Sequence, residues 1–128
     1  MNKKNIFTAI FITTFSISAL SKVDQLQLPA GFVIDIVAES IESPRQMAET
    51  KNGHVVVGSK KGDKVIALID NDNDGFFERK VPIAEGLQNP TGVAFFNDDL
   101  YFAEIDTIWR INNIDDWIDQ QNQSLPTK

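Results

Sequence analysis

The sequence contains no cysteine, a single histidine and a single tyrosine in 128 residues. Without cysteine the chain has neither a disulfide framework nor a thiolate metal site. That absence does not fix the compartment, because exported proteins need not carry disulfides. Basic residues are also scarce: 12 Lys and Arg face 18 Asp and Glu, for a net charge of −6. A phosphate-binding surface needs a basic patch, so nucleic acid is excluded as a partner.

What the chain does have begins at its N-terminus. Lys3 and Lys4 precede an uncharged, mostly apolar run from Ile6 to Leu20, and Ala19-Leu20-Ser21 supplies the small residues that signal peptidase reads. Residues 1–21 are expected to be a signal peptide, with Lys22 opening the mature chain in the periplasm or outside the cell. As a membrane anchor the run is shorter than the roughly 20 residues a bilayer needs. As a buried helix it is rich in β-branched Ile and Thr, which disfavour that state. Its removal takes away two lysines and no acids, so the mature charge is −8.

The mature chain repeats itself. SPRQMAETKNGHVVVGS, from Ser43 to Ser59, and NPTGVAFFNDDLYFAE, from Asn89 to Glu104, each run from a proline-led turn through an apolar stretch and a polar turn into an apolar strand. Pro44 and Pro90 are 46 residues apart, and Val57 and Phe102 are 45 apart. A unit of about 40–50 residues made of consecutive short strands has the spacing of a β-propeller blade.

The expected fold is therefore all-β. Phe32–Val37 reads as a leading strand, after a turn at Pro29 and Gly31. The first blade has strands at Gln46–Glu49, His54–Ser59, Lys64–Ile69 and Glu78–Ala84. Asn52-Gly53 supplies positive φ at its first hairpin, and Val55–Val57 reads as buried on both faces. Pro82 places the fourth strand at an edge. The second blade has strands at Gly92–Phe96, Leu100–Glu104 and Ile108–Ile111, with turns at Asn97–Asp99 and Asp106–Thr107. Ile111, Ile114, Trp117 and Ile118 then share one helical face, so a short helix is expected over Ile114–Gln120, with Asn113 as its N-cap. About 107 mature residues supply about two blades, whereas closed propellers have at least four. Residues 22–128 are thus expected to be the N-terminal part of a longer propeller domain, or the product of a truncated gene.

LPAGF (Leu28–Phe32), SPRQMA, GHVVVGSKKGDKVIAL, DNDNDG, GLQNPTGVAF and LYFAEIDTIWRI follow one another in this order. Over about Leu26 to Trp117 the chain thereby resembles the glucose/sorbosone dehydrogenase family. The resemblance implies an exported propeller of six four-stranded blades that oxidises a sugar or aldose at C1. Hydride would pass to pyrroloquinoline quinone, and electrons onward to an acceptor such as a cytochrome or quinone. It also implies a histidine general base, Arg and Lys side chains on the cofactor carboxylates, and supporting calcium ions. In the family that base lies in a later blade than this chain supplies. His54, the only histidine, follows an Asn-Gly turn and reads as a solvated residue at a blade rim, so the chain alone is expected to be inactive. Two other readings use the same blades: a non-catalytic binding propeller, and a calcium-dependent hydrolase or lactonase with carboxylates such as Glu104 as ligands.

Loops leading into innermost strands face a propeller's central funnel, which selects Arg45 and Gln46 in one blade and Gln88, Asn89 and Thr91 in the next. Arg45 has a planar donor fork suited to a carboxylate and is the candidate cofactor ligand; its competing role is an ion pair with the neighbouring blade. Gln88 matches the substrate-contacting glutamine of the glucose-oxidising members, and Asn89 fits the sorbosone-type pattern equally well. Turn capping is the alternative for both. Asp70, Asp72 and Asp74, with Gly75, match the start of a calcium loop and are the candidate metal ligands, with Glu78 at the ninth position. The twelfth position is Val81 where an EF-hand needs a bidentate Glu, and the flanks read as strands, which leaves a partial calcium loop or a plain Asx-rich turn.

Overall fold

The computed structural model describes residues 26–123, which divide between a leading unit, 26–35, and a second unit, 36–123. In the leading unit the Phe32 amide donates to the Pro29 carbonyl at 3.3 Å across a turn in which Gly31 takes φ +91°. Phe32–Val37, expected as a strand, is not one: it has no ladder partner among the described residues. Its β-branched composition favours extended backbone, but a strand exists only when a second strand takes up its hydrogen bonds. Residues 1–21, expected as the signal peptide, lie outside the described residues. Among those described, no helix is long and apolar enough to cross a membrane.

The second unit is built from seven strands and one helix: β1 (Pro44–Glu49), β2 (Val55–Ser59), β3 (Val65–Ile69), β4 (Arg79–Ala84), β5 (Gly92–Phe96), β6 (Asp99–Ala103), β7 (Ile108–Ile111) and α1 (Ile114–Gln123). They form two antiparallel meanders, β1-β2-β3-β4 and β5-β6-β7, each strand pairing with its sequence neighbour. This is the order of propeller blades, four-stranded in the first and three-stranded in the second. The chain leaves β7 through Asn113, at φ +47°, and enters the helix without adding a fourth strand to this sheet among the described residues. The helix runs three residues past the expected Gln120.

Turn chemistry sets the registers. Asn97 and Asp98, at φ +50° and +67°, make the two-residue turn with both central angles positive that suits the twist of a hairpin, so Phe96 faces Asp99. The β1–β2 turn differs from expectation, because Gly53 alone adopts positive φ, at +86°. There the Thr50 amide donates to the His54 carbonyl at 2.8 Å and the Gly53 amide to the Thr50 carbonyl at 3.1 Å. Pro82 sits on β4, at the sheet edge, where its missing N–H costs no ladder bond.

The alternation of side chains gives each sheet two faces. Val56, Val65, Ala67 and Ile69 of the first sheet and Val93, Leu100 and Phe102 of the second belong to one buried cluster, closed by Ile114 and Ile118 of α1. Val57 and Leu68, on the opposite face of the first sheet, are buried as well, in keeping with a strand covered on both sides. The sheets meet closely at Gly58, where a Cβ would collide with the Pro90 carbonyl oxygen and lie 3.1 Å from that of Thr91.

Candidate ligand-binding end of the sheets

Strand direction sorts the loops onto two ends. β1 and β5 start at one end, where the β2–β3 turn, the β4–β5 loop and the β6–β7 turn also lie. The β1–β2 turn, the Asp70–Glu78 loop, the Asn97–Asp98 turn and α1 occupy the other end. The two proline-led turns are thereby brought side by side. The Gln46 amide donates to the Thr91 carbonyl at 3.3 Å, joining the start of β1 to the start of β5.

Further bonds hold this end in place. Lys60 N donates to Ser43 O at 3.0 Å, and Leu87 N to Asp63 O at 2.8 Å. Lys64 Nζ reaches Glu85 Oε1 at 3.1 Å, and this bond, with the Glu85 charge, holds the Lys64 pKa above its usual value. Glu104 takes part on both oxygens: one accepts the Gln88 amide, and the other accepts the Trp109 indole N–H at 2.7 Å. Glu104 therefore holds the backbone of the β4–β5 loop against β7, which accounts for a carboxylate where the first repeat has Ser59.

Of the sequence candidates, Arg45, Gln46, Gln88 and Asn89 are all exposed at this end, and Thr91 is half-buried. The Arg45 guanidinium makes no ion pair among the described residues. Asn89 takes φ +49° directly before the buried Pro90, an angle that asparagine tolerates better than most residues. Four exposed side chains able to bind a polar or carboxylate ligand, Arg45, Gln46, Gln88 and Asn89, stand on this cross-linked scaffold.

His54 needs correction. It is not a solvated rim residue: it is buried, and its Nε2–H donates to Asp119 Oδ1 of α1 at 2.9 Å. Asn52 Nδ2 donates to the other Asp119 oxygen at 2.8 Å, and the Asn52 amide to Asp115 Oδ2 at 3.3 Å. The helix caps the β1–β2 hairpin and covers the imidazole. No local pattern reveals this contact, since the partners are 65 residues apart. His54 also stands at the far end of the hairpin from Arg45, with Pro44 opposite Ser59 and Glu49 opposite Val55.

The acidic loop shares that far end. Ligand oxygens of Asp70, Asp72, Asp74 and Glu78 lie within 4.8 Å of one another. Asp70 accepts the Asn73 amide at 2.7 Å and the Gly75 amide at 2.9 Å; Asp74 accepts Phe76 N at 2.8 Å; Glu78 accepts Asn71 N at 3.2 Å. For Asp70, desolvation pushes the carboxyl pKa up, but the bonds from Gly75, Asn73, Asp74 and Asp72 together outweigh it and hold the pKa below the ordinary value. For Asp72, desolvation and the Asp74 charge raise it.

A depressed carboxyl contributes stability above its unfolded pKa and loses it as pH falls through the folded value. The expected result for Asp70→Ala is therefore lower stability at neutral pH, with the gap to the unmodified chain closing as pH falls below about 4. Urea melts at pH 7 and pH 3 check this.

Comparisons with known proteins place the chain but name no chemistry. A family described as a domain of unknown function, DUF7133, matches residues 18–125. An uncharacterized protein of Borreliella burgdorferi is 28% identical over 121 residues, covering 93% of this chain. The chain spans 30% of the length of that relative. No solved structure matches. Because the matched stretch takes in both sheets and the helix, the chain belongs to the DUF7133 family.

Proposed function

We propose that this chain is the N-terminal part of an exported quinoprotein oxidoreductase that oxidises a sugar or aldehyde with pyrroloquinoline quinone. The observation that carries the reading is the juxtaposition, on one end of two blade-like sheets, of Arg45 with Gln88 and Asn89, a cation and two amides with no competing side-chain partner among the described residues. The ordered resemblance of the chain to the glucose/sorbosone dehydrogenases supports it independently.

The donor set fits its share of such a cofactor. A quinone bearing carboxylates needs fixed cations, and the guanidinium of Arg45 is planar, permanently charged and open to solvent. When bound, the quinone would supply the hydride acceptor. Arg45 would anchor a carboxylate, and Gln88 or Asn89 would orient a substrate hydroxyl by hydrogen bonding. Glu104 would keep the Gln88–Asn89 turn in register. His54 is not the general base in this proposal, because it lies at the opposite end and is engaged by Asp119. The base would come from a part of the protein beyond this segment, which covers 30% of its relative.

Calcium enters the proposal only at the far end, where Asp70, Asp72 and Asp74 would hold it and brace the β3–β4 loop without touching substrate. Added calcium is then expected to raise the melting temperature of the unmodified chain and to leave a D72N/D74N variant unmoved; equal shifts in both would remove calcium from the account. The chemical reading is tested on the protein expressed from its complete gene, reconstituted with the quinone and offered aldoses and aldehydes with a reducible dye. Dye reduction is the expected result. Its absence with every common aldose and aldehyde would leave the non-catalytic binding propeller as the better reading.

A further inference from the structure

The two sheets are covered unequally. The first is buried on both sides. Val56, Val65 and Ala67 belong to the core it shares with the second sheet. Val57 and Leu68 on its other side are 4% and 3% exposed, and Ser40, Ile41 and Glu42 of the same unit wall a hollow there with Val57 and Ile66. The second sheet is buried on one side alone among the described residues, through Val93, Leu100 and Phe102. By the strand registers, Gly92, Ala94, Phe96, Tyr101, Ala103 and Ile108 share its other side. There Ile108 is 75% exposed, Phe96 is 66% exposed, and Ala94 is exposed as well. An open apolar row of this kind marks a surface that something covers.

The repeat identifies what fits there. Placing Val57 on Phe102 makes Val56 equivalent to Tyr101 and Gly58 to Ala103. The registers then carry Ala48 onto Ala94 and Val65 onto Ile108. Ala48, Val56, Gly58 and Val65 are residues with which the first sheet packs on the second. The open side of the second sheet is thus the counterpart of a surface that already receives a sheet. Ala67 corresponds to Arg110, which instead pairs with Asp99 at 3.9 Å and gives that side a polar rim. Small residues recur at the point of closest approach. The Pro90 and Thr91 carbonyls lie against Gly58, and at the equivalent place Gly92, Ala94 and Ala103 line a shallow hollow of about 240 Å³. The capping units of a repeat array carry a polar outer face. This outer face is apolar and has the character of an internal unit.

We propose that this side of the second sheet is the docking surface for a third antiparallel sheet, supplied by the part of the protein beyond this segment. Two observations select that occupant over a second copy. The matched stretch is 30% of the Borreliella relative, so most of such a protein remains to supply further sheets. The first sheet, moreover, has its outer side already covered by its own chain, and offers no open apolar face to a neighbour. Consecutive units of one chain are usually neighbours in space. The third sheet would bring an apolar face like that of Val93, Leu100 and Phe102, and a leading turn that enters the hollow as Pro90 and Thr91 approach Gly58. That turn would stand beside Asn89–Thr91 as these stand beside Arg45 and Gln46, and would add its polar side chains to the same ligand-binding end. The inference rests on the chain being part of a longer protein and is independent of the quinone.

The test uses the protein expressed from its complete gene, without quinone, carrying Ala94→Cys or Ile108→Cys. Both positions are exposed in this structure, and this segment has no cysteine of its own. Maleimide labelling is followed by mass spectrometry at the peptide that holds the new thiol, in the native protein and in urea. A covered thiol reacts only when the structure opens, so native labelling is expected to be slower than labelling in urea by about 100-fold or more at both positions. Native rates within a few-fold of the unfolded ones would show an open face and overturn the proposal. Protection that grows with protein concentration would assign the face to a second molecule and overturn it equally. Ala103→Leu tests the close approach separately. The hollow leaves room for the larger side chain in this segment, whereas a turn seated there would collide with it. A lower melting temperature of the complete protein is expected, and an unchanged one would contradict the seated turn. None of these readings involves dye reduction, so they stand or fall apart from the proposed chemistry.

Discussion

Ile118→Ala is expected to destabilise the protein by about 2–5 kcal/mol, the range for removing a large aliphatic side chain from a closed core. Ile118 is completely buried and belongs to the cluster that joins both sheets to α1. Its loss leaves a cavity at the junction of three elements, none of which can collapse without disturbing another. The helix is otherwise held by Ile114 of the same cluster, by Trp117 packed against it, and by polar contacts from Asn52 and His54 to Asp115 and Asp119. Polar contacts contribute typically about 0.5–1.5 kcal/mol each. Denaturant melts would show the loss, and earlier amide exchange over Ile114–Gln120 would show that the helix goes first. A loss below about 1 kcal/mol would mean that the helix is not part of the core.

Gly58→Val is expected to cost about 1–3 kcal/mol or more, for the opposite reason. Nothing about the Gly58 backbone angle demands glycine; the neighbouring backbone does. The colliding atoms are the carbonyl oxygens of Pro90 and Thr91, which cannot rotate away as a side chain would. Relief requires the two sheets to separate locally, and that would also pull the Gln46–Thr91 bond apart. The same substitution should therefore lower the melting temperature and, on the proposed function, weaken quinone binding at the proline-led turns as well. Gly86 makes the comparison: a Cβ there meets nothing within 4 Å, but its φ of +75° favours glycine. Gly86→Ala should thus show backbone strain without any disturbance of the sheet contact.

Much of this architecture was legible in the sequence because it is written in short-range chemistry. Period-two apolar runs, Asn-Asp and Asn-Gly turns and the proline-led repeat placed all seven strands of the two sheets to within about two residues. The helix was visible from the spacing of Ile111, Ile114, Trp117 and Ile118. Phe32–Val37 was misread because pairing is a property of two strands and composition reports on one. His54 was misread because its neighbours in sequence are turn residues, while its burial comes from a helix 65 residues away. The role of Glu104 was half visible: the repeat exposed a carboxylate in place of Ser59, but not its hold on Gln88 and Trp109. Arg45, Gln88 and Asn89 were selected by repeat position, and the Gln46–Thr91 bond joins the two turns that carry them.

The central claim is that the end of the sheets carrying Arg45 holds a carboxylate-bearing quinone. It is tested most directly by titrating pyrroloquinoline quinone into the protein from the complete gene, beside its Arg45→Ala variant. A charge-assisted hydrogen bond contributes about 1.5–3 kcal/mol, so the account predicts saturable binding that weakens by about 10- to 150-fold in the variant. No binding by either protein, or equal binding by both, would contradict it.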